Sequence, residues 1–70
     1  MKMVIHSSVL KNARKQRGLT QLDLSKETGI SNAWISKIEK GQAVNVRLPT
    51  LHAICHALHI KTSDAFTVIE

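Results

Sequence analysis

Apolar residues fall along this chain in short, broken groups, and no apolar run exceeds three residues. In "SSVLKNARKQRG", Val9, Leu10 and Ala13 supply an apolar stripe at helical spacing, and Gly18 follows the last turn. The pattern predicts a first helix from Ser7 or Ser8, either of which offers a capping oxygen, to about Arg17. Thr20 is placed to cap a second helix, with Asp23 three residues on, where its carboxylate reaches back and meets the positive helix end. Gly29 stops that helix. Ser31 caps a third, which runs to about Lys40 before Gly41. Pro49 suits the first turn of a fourth helix through about Leu58, and Thr62 or Ser63 opens a last helical turn ending near Phe66. No strand pattern stands out, although "MVI" and "TVI" near the two ends are able to pair across a dimer.

The middle of the chain is therefore helix, a turn of three residues, and helix, which is the helix-turn-helix arrangement. Gly29 permits the left-handed backbone that reverses the chain, Ile30 tucks between the helices, and Ser31 caps the next helix at once. An ordinary helical hairpin has the same spacing. Turning the third helix by about 100° per residue sets Ser31, Ile35 and Ile38 on one side, expected to be buried. Ala33, Ser36, Lys37 and Lys40 lie opposite, and Asn32, Trp34 and Glu39 border the stripe. The outward face is short, polar and basic, as entry into a groove about 12 Å wide requires. Trp34, the only tryptophan, is expected to lay its indole on apolar neighbours and aim its N–H at a phosphate oxygen. Packing alone also explains it.

Composition narrows the classes. Seventy residues make one domain, residues 1–70, with a thin core and little room for a buried active site. Ten Lys and Arg against five Asp and Glu give a formal charge of +5. Lys2, Lys11, Arg14, Lys15 and Arg17 all precede the first acid, Asp23. Such a positive end attracts polyanions, and nucleic acid is the commonest of these in a cytosol. A single cysteine, Cys55, fits a reducing compartment. The start "MKMVIHSSVL" reads neither as a signal peptide nor as a membrane span, so a cytoplasmic location is expected. Serines and histidines form no catalytic constellation, and no enzyme or cofactor is expected.

The stretch "LKNARKQRGLTQLDLSKETGISNAWISKIEKG", residues 10–41, resembles the helix-turn-helix of phage repressor and Cro proteins and of the wider Xre family. "RGLTQ", "TGIS" and "ISKIEKG" fall at the family's spacing, and "LPTLHAICHALHI" is similar to its fourth helix. The resemblance implies an all-α, compact five-helix bundle of the lambda-repressor type, with its helix-turn-helix at about residues 20–40. It also implies a homodimer on double-stranded DNA with the third helix in the major groove. Family positions that touch base edges correspond to Asn32, Ala33 and Lys37, with Ser36 beside them. Asn32 matches adenine's donor and acceptor, Lys37 matches guanine's two acceptors, and Ala33 suits a thymine methyl. Thr20, Gln21 and Lys40 match positions used on the DNA backbone. Arg14 and Glu39 match a structural ion pair and are kept off the base-reading set. Lys15, Arg17 and Lys26 are able to add charge nearby, and Arg47 reaches toward a phosphate or a narrow minor groove.

The chain departs from the family pattern at Ala13, at Leu22, and at Ser25, where a helix-two alanine is common. The connection "GQAVNVRLP" is long and similar to that of some antitoxins. This raises an alternative, a protein-interaction module that binds a toxin and autoregulates its operon. Phe66, Val68 and Ile69 near the C-terminus would more economically close a dimer. Finally, His52, His56 and His59 fall on one outward arc of the fourth helix, where an i, i+4 pair can chelate zinc. A structural tetrahedral site wants four firm ligands and Cys55 faces inward, so no metal is assigned. The preferred expectation is a sequence-specific transcriptional regulator acting as a repressor.

Overall fold

The computed structural model describes residues 2–70. Its elements are β1 (Lys2–Ile5), α1 (Ser7–Gln16), α2 (Gln21–Thr28), α3 (Asn32–Glu39), α4 (Leu48–Ala57), a 3-10 turn (Thr62–Asp64) and β2 (Phe66–Ile69).

The helix limits follow local chemistry. Thr20 and Asp23 form a reciprocal capping box at the start of α2, and Ser31 caps α3 by accepting from the Trp34 N–H. Pro49 lies in the first turn of α4, where its missing N–H costs nothing. The start of α1 corrects the sequence expectation. His6 is its N-cap and makes no side-chain capping bond. Ser7 is already helical, and its hydroxyl donates instead to the Ile38 carbonyl at 2.7 Å, tying α1 to α3.

Five α-helices are also corrected: the described residues form four, together with a small sheet. The segment expected to be a fifth helix makes only the three-residue 3-10 turn. "FTVI" then runs extended, as its aromatic and β-branched residues favour. β2 pairs antiparallel with β1 of the same chain, in the register Met3↔Val68 and Val4↔Thr67. The two end segments therefore meet within one chain, where the sequence suggested pairing across a dimer.

The core is one cluster: Leu10, Leu24, Ile35, Ile38, Leu51, Ile54, Cys55 and Leu58 all lie within it, as does Ala65 just before β2. Met3, Ile5 and Phe66 lean on it from the sheet. Emptying a position such as Ile35 or Leu51 typically costs about 2–5 kcal/mol, a large share of a small domain's stability. α2 packs against both α3 and α4, and α1 packs against α3. No helix among the described residues is long and apolar enough to cross a membrane.

Candidate nucleic-acid interface

The turn between α2 and α3 is built by four residues. Gly29 holds φ 75° and donates its N–H to the Ser25 carbonyl, which reverses the chain. The Ser25 hydroxyl donates to the Ile30 carbonyl at 2.6 Å. Thr28 donates to the Leu24 carbonyl at 2.8 Å and accepts from the Ile30 N–H at 3.2 Å. Ser25 thus does more than stay small where the family pattern has alanine, because its oxygen clamps the turn and fixes how α3 leaves it.

α3 is anchored by Ile35 and Ile38, both buried. Asn32, Ala33, Lys37 and Lys40 are exposed, while Trp34, Ser36 and Glu39 are half-buried. Two expectations change. Ser31, assigned to the buried side, is exposed, because a capping residue sits outside the helical spiral. Ser36, assigned to the outward side, lies partly covered at its margin. Trp34 packs against the core cluster.

Beneath this face lies an ion pair. Arg14 Nε donates to Glu39 Oε2 at 2.7 Å and Nη2 to Oε1 at 2.9 Å, a bidentate clasp. Nη1 donates to the Leu19 carbonyl at 2.8 Å, so all three guanidinium nitrogens are used. The side chains are 10% and 4% exposed, which places the pair inside the fold. The hydrogen bond to Glu39 raises the Arg14 pKa above its ordinary value, outweighing the opposing effect of burial. Gln21 Nε2 also donates to Glu39 Oε1, at 3.2 Å, joining the start of α2 to the end of α3. Sequence reasoning placed Gln21 at the DNA backbone and gave no hint of this second partner, which only tertiary packing reveals.

At the start of α2 the Asp23 N–H donates to Thr20 Oγ1 and the Thr20 N–H to Asp23 Oδ2, both at 3.0 Å. The bonds from Thr20 hold the Asp23 carboxyl below its usual range. Thr20 is exposed and Gln21 half-buried beside it.

The remaining cations divide. Lys15 and Lys26 are exposed. Arg17 is committed elsewhere, its Nη1 donating to Glu27 Oε1 at 3.3 Å and to the Ala57 carbonyl at the end of α4. Arg47 is exposed at the N-cap of α4, separated from α3 by the connecting loop, and its side chain makes no capping bond.

The histidines do not form the expected arc. α4 ends at Ala57, and His59 lies past its C-cap with φ 60°. Among the described residues no group of three or more His, Cys, Asp or Glu is arranged to hold a metal. His52 and His56 remain on the helix, and Cys55 is wholly buried, with burial pushing its thiol pKa up.

The profile of the Cro/C1-type HTH DNA-binding domain matches residues 9–70. The chain is 36% identical over 64 residues to the uncharacterized HTH-type transcriptional regulator YozG of Bacillus subtilis (strain 168), covering 91% of this chain and 73% of that protein. It is similar to a helix-turn-helix transcriptional regulator from Vibrio cholerae, with 35% identity and a TM-score of 0.73. That match covers 81% of this chain but 32% of the other, so this chain spans about a third of that regulator. The restriction-modification controller protein C.AhdI from Aeromonas hydrophila is 28% identical with a TM-score of 0.76, over 83% of this chain and 86% of its own.

Proposed function

The chain belongs to the Cro/C1-type helix-turn-helix DNA-binding family, and from that premise we propose that residues 1–70 act as a single domain that represses transcription as a homodimer on a two-fold operator. α3 enters the major groove. Asn32 reads adenine, Lys37 reads guanine, Ala33 meets a thymine methyl, and Ser36 assists from the margin of the face. Lys40, Thr20 and Gln21 hold the sugar-phosphate backbone. Thr20 accepts one bond within its capping box and keeps its own hydroxyl proton to offer a phosphate. Trp34 supports the edge of α3 and directs its indole N–H to a phosphate, and Arg47 adds a backbone contact from the loop. The second subunit docks through the exposed Val68 and Ile69 of β2, and a two-fold dimer of this kind reads half-sites about one helical turn apart.

One observation carries this reading: α3 turns its exposed Asn32, Ala33, Lys37 and Lys40 outward together, while Ile35 and Ile38 fix its back to the core. A helix so anchored offers a preorganised polar face at little conformational cost. Sequence selectivity follows from base edges, and general affinity from Lys40 and the other cations.

Trp34 provides the test, since the chain has no tyrosine. Its fluorescence is followed as duplex from immediately upstream of the protein's own gene, or scrambled duplex, is added at low and near-physiological salt. A saturating change that stays much tighter for the native duplex at higher salt supports a specific reader. If fluorescence and the anisotropy of labelled DNA both stay flat, the proposal fails for that operator. Sedimentation at micromolar concentration tests the dimer, and a monomer there counts against it.

A further inference from the structure

We propose that His52 and His56 form a two-imidazole clip for a divalent transition-metal ion of the zinc class on the exposed face of α4. Both residues lie within the helix, Leu48–Ala57, and both are exposed. Their i, i+4 spacing stacks the rings with centroids 6.3 Å apart and planes inclined by 30°. His56 is exposed and free to change rotamer at little cost, so its ring is the one that must turn toward His52 for a nitrogen of each to face a common ion.

A second feature singles out this pair from scattered surface histidines. His52 Nδ1 lies 2.9 Å from Thr62 Oγ1, a residue of the 3-10 turn packed against α4. With Nδ1–H donating to the threonine oxygen, the lone pair of Nε2 is left pointing away from it. Metal-binding histidines are characteristically held in this way, with the far nitrogen bonded to an oxygen that fixes tautomer and ring orientation. Thr62 thus orients the ligand without touching the ion.

The clip is distinct from the arc of three histidines that the sequence suggests, because His59 leaves the helix in a left-handed conformation. Two imidazoles favour zinc and its neighbours over magnesium or calcium, which prefer oxygen. They fill half of a tetrahedral shell, and water or the same clip of a second copy completes it. The inference stands apart from DNA binding, since α4 packs mainly on α2 and the 3-10 turn.

Calorimetric titration of the metal-free full chain with Zn²⁺, and with Mg²⁺ as a control, tests it. Saturable Zn²⁺ binding at one ion per chain, or one per two chains, with none for Mg²⁺, is expected. His52→Ala and His56→Ala each weaken it at least about 10-fold, and Thr62→Val, which keeps both ligands, weakens it about 10-fold. His59→Ala and His6→Ala leave it unchanged. Circular dichroism verifies that every variant stays helical. Absence of saturable Zn²⁺ binding below about 1 mM overturns the assignment, as does binding that survives loss of both clip histidines.

Discussion

His59 holds at the end of α4 the place that Gly41 holds at the end of α3. Gly41 has φ 73° and His59 φ 60°. Gly41 donates to the Ile38 carbonyl and Gln42 to Lys37, while His59 donates to the His56 carbonyl and Ile60 to Cys55. Each pair of bonds satisfies carbonyls that the helix end would leave free. Only the side chain differs, and a Cβ in the left-handed region costs about 1–2 kcal/mol.

His59→Gly is therefore expected to stabilise the fold. Glycine's extra freedom in the unfolded chain offsets part of the relief, leaving a gain of about 0.5–1 kcal/mol. For a chain this short, that raises the thermal midpoint by about 2–8 °C, readable by circular dichroism. A lowered midpoint would show that the imidazole makes a contact worth more than the strain.

The clasp between Arg14 and Glu39 gives a prediction of opposite sign. Glu39→Gln leaves a guanidinium inside the fold without its counter-charge, at a cost of about 3–5 kcal/mol. Arg14→Met removes the counter-charge of the Glu39 carboxylate and leaves it the Gln21 bond. The double variant is expected to be less destabilised than the sum of the singles, as measured by urea unfolding. Additive losses would mean that the pair does not act as a unit.

Asp23 sets an acid limit on α2. Its folded pKa lies below the ordinary 3.8, so folding favours the ionised form. The contribution is fully present above about pH 4, the unfolded range, and is lost as pH falls through the lower folded value. Comparing Asp23→Asn with the natural chain across pH isolates it. Their stability difference should shrink on acidification, and a constant difference would contradict the capping box as its source.

On α3, two substitutions separate reading from holding. Asn32→Ala is expected to cost about 1–3 kcal/mol on the preferred duplex and little on scrambled DNA. Lys40→Ala should weaken binding to every sequence and reduce the slope of log affinity against log salt by about 0.9, one phosphate's worth. Anisotropy titrations over a salt series measure both. If Asn32→Ala weakens both duplexes alike, Asn32 is not a base reader.

The legibility of the sequence followed the range of the interactions. Thr20 with Asp23, Gly29, Ser31 and Pro49 act over a few residues, so the limits of α2 and α3 and the start of α4 were visible in the spacing. Ser7 looked like a cap by the same local rule, yet its oxygen serves a carbonyl 31 positions away. His59 carried no turn signal, because the left-handed conformation is imposed by how α4 ends and not by a glycine. "TVI" is legible as a partner for "MVI", but only across a dimer, and Phe66 reads as the end of a helical turn, because nothing local shows that the two ends of one chain meet. The outward face of α3 was largely legible from periodicity, whereas the half-covered position of Ser36 and the Gln21–Glu39 bond depend on packing between helices.

The β1–β2 pairing sets an order of assembly. Its register joins Lys2 to Ile69, so the strands close a loop containing nearly the whole domain, whereas each helix forms from neighbours in sequence. The entropic cost of that closure falls once the intervening helices have packed and brought the ends together. The sheet is therefore expected to form last, and its short strands to open first. Amide exchange should be faster across Val4 and Thr67 than in the middle of α4, making the two-stranded sheet a sensitive gauge of whether folding has reached completion.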